Sequence, residues 1–129
     1  MMETGYRIVG PAKLRVRQTN AVPERMRGRV REVTSLLVPA AEQNKGYATT
    51  LMHKVCREAD NENIVLVLWP MAFGESAGLS TAQLIEWYQE RFGFQCIQPD
   101  PYLMARMPGA TPRLLSLNPI NEALQRSKT

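Results

Sequence analysis

Six residues, Gln43-Asn44-Lys45-Gly46-Tyr47-Ala48, join an apolar run to a helix pattern, and that junction restricts the fold more than any other stretch of the chain. Upstream lies Val33-Thr34-Ser35-Leu36-Leu37-Val38, which reads as part of a strand over residues 29–38. Downstream, Leu51, Met52, Val55, Cys56 and Ala59 recur at helical spacing over residues 46–60. Past Asp60-Asn61-Glu62-Asn63 comes Ile64-Val65-Leu66-Val67-Leu68-Trp69, apolar on both faces, as a central strand in a parallel pair requires. The six-residue loop thus stands where a strand hands over to a helix N-terminus. Unpaired backbone N–H groups point one way there and the helix dipole adds partial positive charge, so the geometry binds anions. Gly46 permits positive φ and close approach of the backbone to a phosphate, and Lys45 adds a cation beside it.

The rest of the pattern is that of a mixed α/β domain. Residues 6–9 read as a short strand broken at Gly10-Pro11, and Lys13-Leu14-Arg15-Val16-Arg17 alternates as a second strand, expected at a sheet edge. Residues 19–24 are a turn. Ser80-Thr81-Ala82-Gln83 forms a capping box opening a helix over 80–92, after a loop at 70–79. Two closing strands, 96–98 and 102–107, flank Pro99-Asp100-Pro101. In the tail, Asn118-Pro119 signals the start of a short helix. Leu114, Leu115, Leu117, Ile120 and Leu124 are more apolar residues than a free tail needs. The tail is therefore expected to pack on a sheet, its own or that of a two-fold partner, and a homodimer is expected. A chain of 129 residues suits one domain, with a core at about 6–108 and a tail at 109–129.

Composition narrows the functional classes. No apolar run approaches the ~20 residues of a membrane span, and the first residues lack a signal-peptide core, so the cytoplasm is the default. Cys56 and Cys96 read as small core residues rather than functional thiols. Neither has metal-ligand spacing, and the single histidine, His53, sits on a solvated helix face, so no metal is expected. The net charge of +4 favours an anionic partner. Nucleic acid is one such partner, but it is not favoured. Arg25, Arg27, Arg29 and Arg31 alternate as on one face of a solvent-exposed strand, with no aromatic residue interleaved for base stacking.

The loop fits Gln/Arg-x-x-Gly-x-Gly/Ala, and in this it resembles the pyrophosphate-binding motif of the GNAT superfamily, the acetyl-CoA-dependent N-acetyltransferases. Tyr88-Gln89-Glu90-Arg91-Phe92-Gly93-Phe94 is similar to that family's closing Tyr…Gly-Phe signature, and the two patches stand in the family's order. The resemblance covers roughly residues 8–108. It implies a mixed, mostly antiparallel central sheet with flanking helices. Members usually begin with a strand and two helices before the strand pair, whereas few residues precede Tyr6 here, so the fold is expected to be truncated at its N-terminus. It further implies acetyl-CoA as cosubstrate, whose phosphates already supply the anionic partner. Leu37, Val38, Gln43, Asn44, Lys45, Gly46, Tyr47, Ala48 and Tyr88 would contact it. The acceptor is a primary amine, of a protein or a small molecule.

Such a transfer needs a base to deprotonate the amine, a donor for the developing oxyanion and an acid for the leaving thiolate. Read back without gaps from the loop, Glu32 falls where the histone-acetyltransferase branch carries its general base; the alternative is a surface pair with Arg29 or Arg31. A backbone N–H near Leu37 or Val38 would serve the oxyanion, and the same strand end would pair with the pantetheine amides. Tyr88 is the candidate acid. The family's usual position falls on Gln89, about 100° round the helix, so Tyr88 reads equally as a core or cofactor-packing residue. Trp69, Met71, Phe73 and Trp87 are candidates for a pocket lining or for core. Two rival readings stand beside the enzyme: a non-catalytic CoA-binding module, and a basic nucleic-acid-associated protein of the same fold.

Overall fold

A computed structural model describes residues 2–43, 45–70 and 80–110. Ten elements follow one another: strands β1 (Gly5–Val9) and β2 (Ala12–Arg17), a 3-10 helix (Glu24–Arg29), strand β3 (Val30–Leu37), a second 3-10 turn (Ala40–Glu42), helix α1 (Tyr47–Glu62), strand β4 (Val65–Leu68), helix α2 (Thr81–Phe92), and strands β5 (Gln95–Pro99) and β6 (Tyr102–Arg106). The strands form one six-stranded sheet in the order β1-β2-β3-β4-β6-β5. β3 and β4 are parallel, joined through α1, and every other pair is antiparallel. A parallel pair needs such a crossover, whereas the antiparallel pairs β1–β2 and β5–β6 close with tight turns.

The main core lies between the sheet and the two helices. Helix α1 buries Leu51, Met52, Val55, Cys56 and Ala59, the stripe set by its sequence period. Beneath it lie Ala12, Leu14 and Val16 of β2, Val33 of β3, and Leu66 and Leu68 of β4. Helix α2 adds Leu84, Tyr88 and Phe92, with Phe94 just beyond it. Arg7 of β1 ties the sheet edge to α1, donating to Glu58 at 2.8 and 2.7 Å. The opposite sheet face holds a smaller cluster of Val30, Val67, Leu103 and Ala105. Gly10, at φ +55°, is required in the β1–β2 turn by close approach as well as by conformation: a Cβ there would stand 2.8 Å from the Tyr47 ring.

Three sequence expectations are corrected. The four alternating arginines are not on one strand face. Residues 24–29 wind into a 3-10 helix, Met26 N–H bonding to the Pro23 carbonyl at 2.9 Å, and Arg31 is buried in β3. Its guanidinium donates to the carbonyls of Met2, Arg27 and Val30. β2 is an interior strand, because β1 pairs along its outer side; among the described residues the edges are β1 and β5. Cys96 is exposed, its thiol 3.3 Å from the Gln98 carbonyl at an irregularity in edge strand β5. The expected tail helix and the loop at 71–79, with Met71 and Phe73, lie outside the described residues.

Candidate active site

β3 and β4 pair only from Val30↔Val65 to Glu32↔Val67. β4 ends at Leu68 while β3 runs on to Leu37, so from Val33 onward the β4-facing side of β3 has no strand partner among the described residues. The ladder to β2 is also offset here. Arg15 pairs Thr34 while Lys13 pairs Leu37, which places one extra residue in β3. The extra residue sits at Ser35, whose φ of 59° is unusual for a residue other than glycine. A bulge of this kind bends the strand and re-aims its backbone groups.

Where β3 leaves β4, a cleft of about 200 Å³ opens. Val33, Thr34, Ser35 and Leu36 line one side, Leu68 and Trp69 another, and Leu84 and Tyr88 of α2 a third. Arg17 and Glu32 stand at its end, and both also line a neighbouring cavity of about 480 Å³ with Gln18, Thr19, Asn20, Ala21 and Trp69. Glu32 therefore lies in the wall common to the two spaces. Its side chain is 5% exposed and accepts from Arg17 at 2.9 Å. The expected partners Arg29 and Arg31 are not used: Arg29 lies in the 3-10 helix and Arg31 faces carbonyls. Trp69 and Tyr88 border this cleft, while Trp87 packs its ring 4.8 Å from that of Phe92.

Tyr88 is almost fully buried beside Phe94 and Trp87. Burial pushes its phenol well above the ordinary tyrosine value, so it stays protonated throughout the physiological range. Burial likewise pushes the Cys56 thiol up to about 11, which leaves it without nucleophilic thiolate. His53 is on the outer side of α1, edge-on to Phe92 with ring centroids 4.9 Å apart. Among the described residues no group of three or more His, Cys, Asp or Glu is arranged to hold a metal ion.

The loop before α1 ends at Gly46, left-handed at φ 85° and ψ 1°. No side chain caps the start of α1, and its first turn contains no acid. A Cβ on Gly46 would meet nothing within 4 Å. The N-terminal N–H groups of α1 thus begin at an unobstructed, acid-free turn, which fits a pyrophosphate. Lys45 is exposed and pairs with Glu42 at 3.2 Å. The Gln43 side chain turns inward, donating to the Val38 carbonyl at 3.1 Å and so fastening the loop to the strand end. Val38 is buried in the core and Leu37 pairs with Lys13; neither lines the cleft, whose β3 wall is made by the four residues before them. Tyr47 and Ala48 are half-buried in the first turn of α1, and Asn44 lies outside the described residues. Sequence reasoning missed Arg17, Thr34 and Ser35. Arg17 lies fifteen residues from Glu32 and meets it only through strand pairing.

The architecture resembles a solved structure, that of the anti-CRISPR protein AcrVA5, with a TM-score of 0.58 at 16% identity over 81% of this chain and 99% of that one. At that identity the likeness speaks for the fold alone. No curated protein matches the chain. No described helix is long and apolar enough to cross a membrane. The acetyltransferase (GNAT) family model matches residues 1–94, which hold the splayed strand pair, the glycine loop before α1 and α2 through Gly93-Phe94, and the chain belongs to that family of acetyltransferases.

Proposed function

We propose that the protein transfers acetyl from acetyl-CoA directly to a primary amine, with no covalent enzyme intermediate. The observation that carries this reading is the place of Glu32: a buried carboxylate in the wall between a strand-edged cleft and a second, more polar cavity. Acetyl-CoA supplies an acetyl group activated as a thioester. Its pyrophosphate is assigned to the open start of α1, with Gly46 giving close approach and Lys45 a nearby charge. Its pantetheine arm has amides spaced for pairing with the free edge of β3 from Val33 to Leu36, as an added strand pairs with a sheet edge.

In this reading the amine enters from the larger cavity and Glu32 accepts its proton. Arg17 holds the carboxylate in place. Backbone N–H groups re-aimed by the Ser35 bulge stabilise the charge developing on the acetyl oxygen. Tyr88 faces the leaving sulfur as a hydrogen-bond donor. A phenol raised by burial is a weaker acid than an ordinary thiol, so it donates a hydrogen bond while solvent supplies the proton. The absence of reactive thiolate at Cys56 agrees with direct attack.

Release of free thiol from acetyl-CoA over a panel of amines tests the reading. Glu32→Gln is expected to lower turnover about 100-fold, or about 2.7 kcal/mol of barrier, while calorimetry shows nearly native acetyl-CoA affinity. Retained turnover in a folded Glu32→Gln protein would remove the base assignment. Acetyl-CoA binding without thiol release on any amine would identify a binding module instead.

A further inference from the structure

The sheet face turned away from α1 carries a surface that acetyl transfer to a small amine leaves unused. β2 alternates strictly: Ala12, Leu14 and Val16 are buried beneath α1, and Lys13, Arg15 and Arg17 are exposed on the other face. β1 shares the division. Arg7 reaches Glu58 on α1, while Tyr6 and Ile8 are 60% and 59% exposed. The Lys13 ammonium stands 5.4 Å from the Tyr6 ring centroid, which puts both on one face. Tyr6 is opposite Arg15 and Ile8 opposite Lys13 in the ladder, so cations and large apolar side chains lie side by side in two rows.

From the acceptor standpoint, which rests on the proposed function, we infer that this surface selects the acceptor: a lysine within an acidic stretch of polypeptide, docked along the outward face of β1 and β2. The track begins at the reaction centre. Arg17 pairs with Glu32, lines the larger cavity, and still has 49% of its side chain exposed. Arg15 and Lys13 continue from it at strand spacing, roughly 7 Å per step and about 14 Å in all. Glu32 is the only carboxylate on the three strands β1, β2 and β3, and it is buried against Arg17, so nothing on those strands neutralises the row.

An extended peptide repeats every two residues, which matches the spacing of the row. Carboxylates at alternate positions would meet Lys13 and Arg15, and apolar neighbours would cover Tyr6 and Ile8. A small amine would fill only the cavity. Nucleic acid would satisfy the cations, but its exocyclic amines are conjugated into the bases and are poor nucleophiles, and phosphates give Ile8 no contact. Charge on the track acts on encounter and affinity for the acceptor rather than on the chemical step.

Two peptides with one lysine each test the inference, one with aspartates flanking the lysine at alternate positions and one with asparagines there. The acidic peptide is expected to show about ten-fold higher kcat/KM at low salt, the ratio shrinking toward one at high salt. Arg15→Glu, and the milder Arg15→Gln, should collapse that ratio while the melting temperature stays near native. Equal kcat/KM for the two peptides, or a ratio untouched in both Arg15 variants, overturns the inference and leaves acetyl transfer intact. Competition by duplex DNA as strong as by the acidic peptide identifies a nucleic-acid surface and overturns it. So does concentration-dependent self-association that protects Tyr6 and Ile8, which makes the face an interface between two copies. Failure to release thiol with either peptide and with every simple amine overturns both this inference and the reading beneath it.

Discussion

The two α-helices of the described residues begin in opposite ways. Helix α2 is closed by its own side chains: the Ser80 hydroxyl accepts from Gln83 N–H at 3.1 Å and the Gln83 side chain accepts from Ser80 N–H at 2.9 Å. Helix α1 begins at a left-handed glycine that offers no side chain, and no acid follows in the first turn. Both starts inherit the same unpaired N–H groups. A serine or aspartate cap in place of Gly46 would recover roughly a few tenths of a kcal/mol, so the chain forgoes a little local stability where the helix follows the splayed strand β3. A capped start serves the fold; an uncapped one at the end of the cleft strand leaves its N–H groups open to the proposed pyrophosphate.

Charge at Gly46 breaks this contrast most strongly. Gly46→Glu places a carboxylate where the pyrophosphate is proposed to sit, and a fall in acetyl-CoA affinity of at least 100-fold, about 2.7 kcal/mol, is expected by calorimetry. The left-handed backbone adds a strain of roughly 1–2 kcal/mol for any side chain, although a Cβ itself meets open space. Gly46→Ala carries the strain without the charge, and comparison of the two variants separates them. Native affinity in a folded Gly46→Glu protein would remove the loop from the cofactor site.

The same two helices show what a sequence makes visible. The stripe of α1, the capping box of α2 and the parallel placement of β4 are local or periodic signals, and each emerges where the residues indicate it. Alternation misled at residues 25–31, since period two is shared by strands and by chance, and the turn set up after Pro23 prevails over it. The interior place of β2 depends on β1 choosing its outer side, which no pattern within β2 records. Site geometry is the least legible part. Glu32 was singled out only through the family resemblance; its partner Arg17 comes from strand register, and the Ser35 bulge has no glycine to announce it. Cys96 fails as a core residue because β5 is an edge strand with an irregularity beside it.

The capped helix supplies the reciprocal prediction. Ser80→Ala should cost about 1 kcal/mol of stability, a few degrees of melting temperature in a domain of this size, by removing the acceptor for Gln83 N–H. Acetyl-CoA affinity should stay within about two-fold of native, since neither Ser80 nor Gln83 lines the cleft and the Ser80 backbone carbonyl still accepts from Leu84 N–H. Thermal melts with parallel titrations test both halves. A large affinity loss would show that the position of α2 depends on its cap, and the division between fold-serving and ligand-serving helix starts would lose its force.

Lys45 is the smallest expected effect and the sharpest test of what the open start consists of. It is the one cation in the described part of the loop, and a point-charge account would assign it most of the attraction for phosphate. The geometry argues otherwise. Its ammonium is exposed and already shared with Glu42 at 3.2 Å, so solvent and a carboxylate both screen it. The helix N–H groups, by contrast, are fixed in direction and need no side-chain ordering to meet an anion. Lys45→Ala should therefore weaken acetyl-CoA binding by no more than about three-fold at physiological salt, with a somewhat larger loss at low salt. Glu42→Ala should shift affinity slightly the other way by releasing the ammonium. A loss in Lys45→Ala comparable to that in Gly46→Glu would mean that the side chain, not the backbone left open at the start of α1, holds the phosphates.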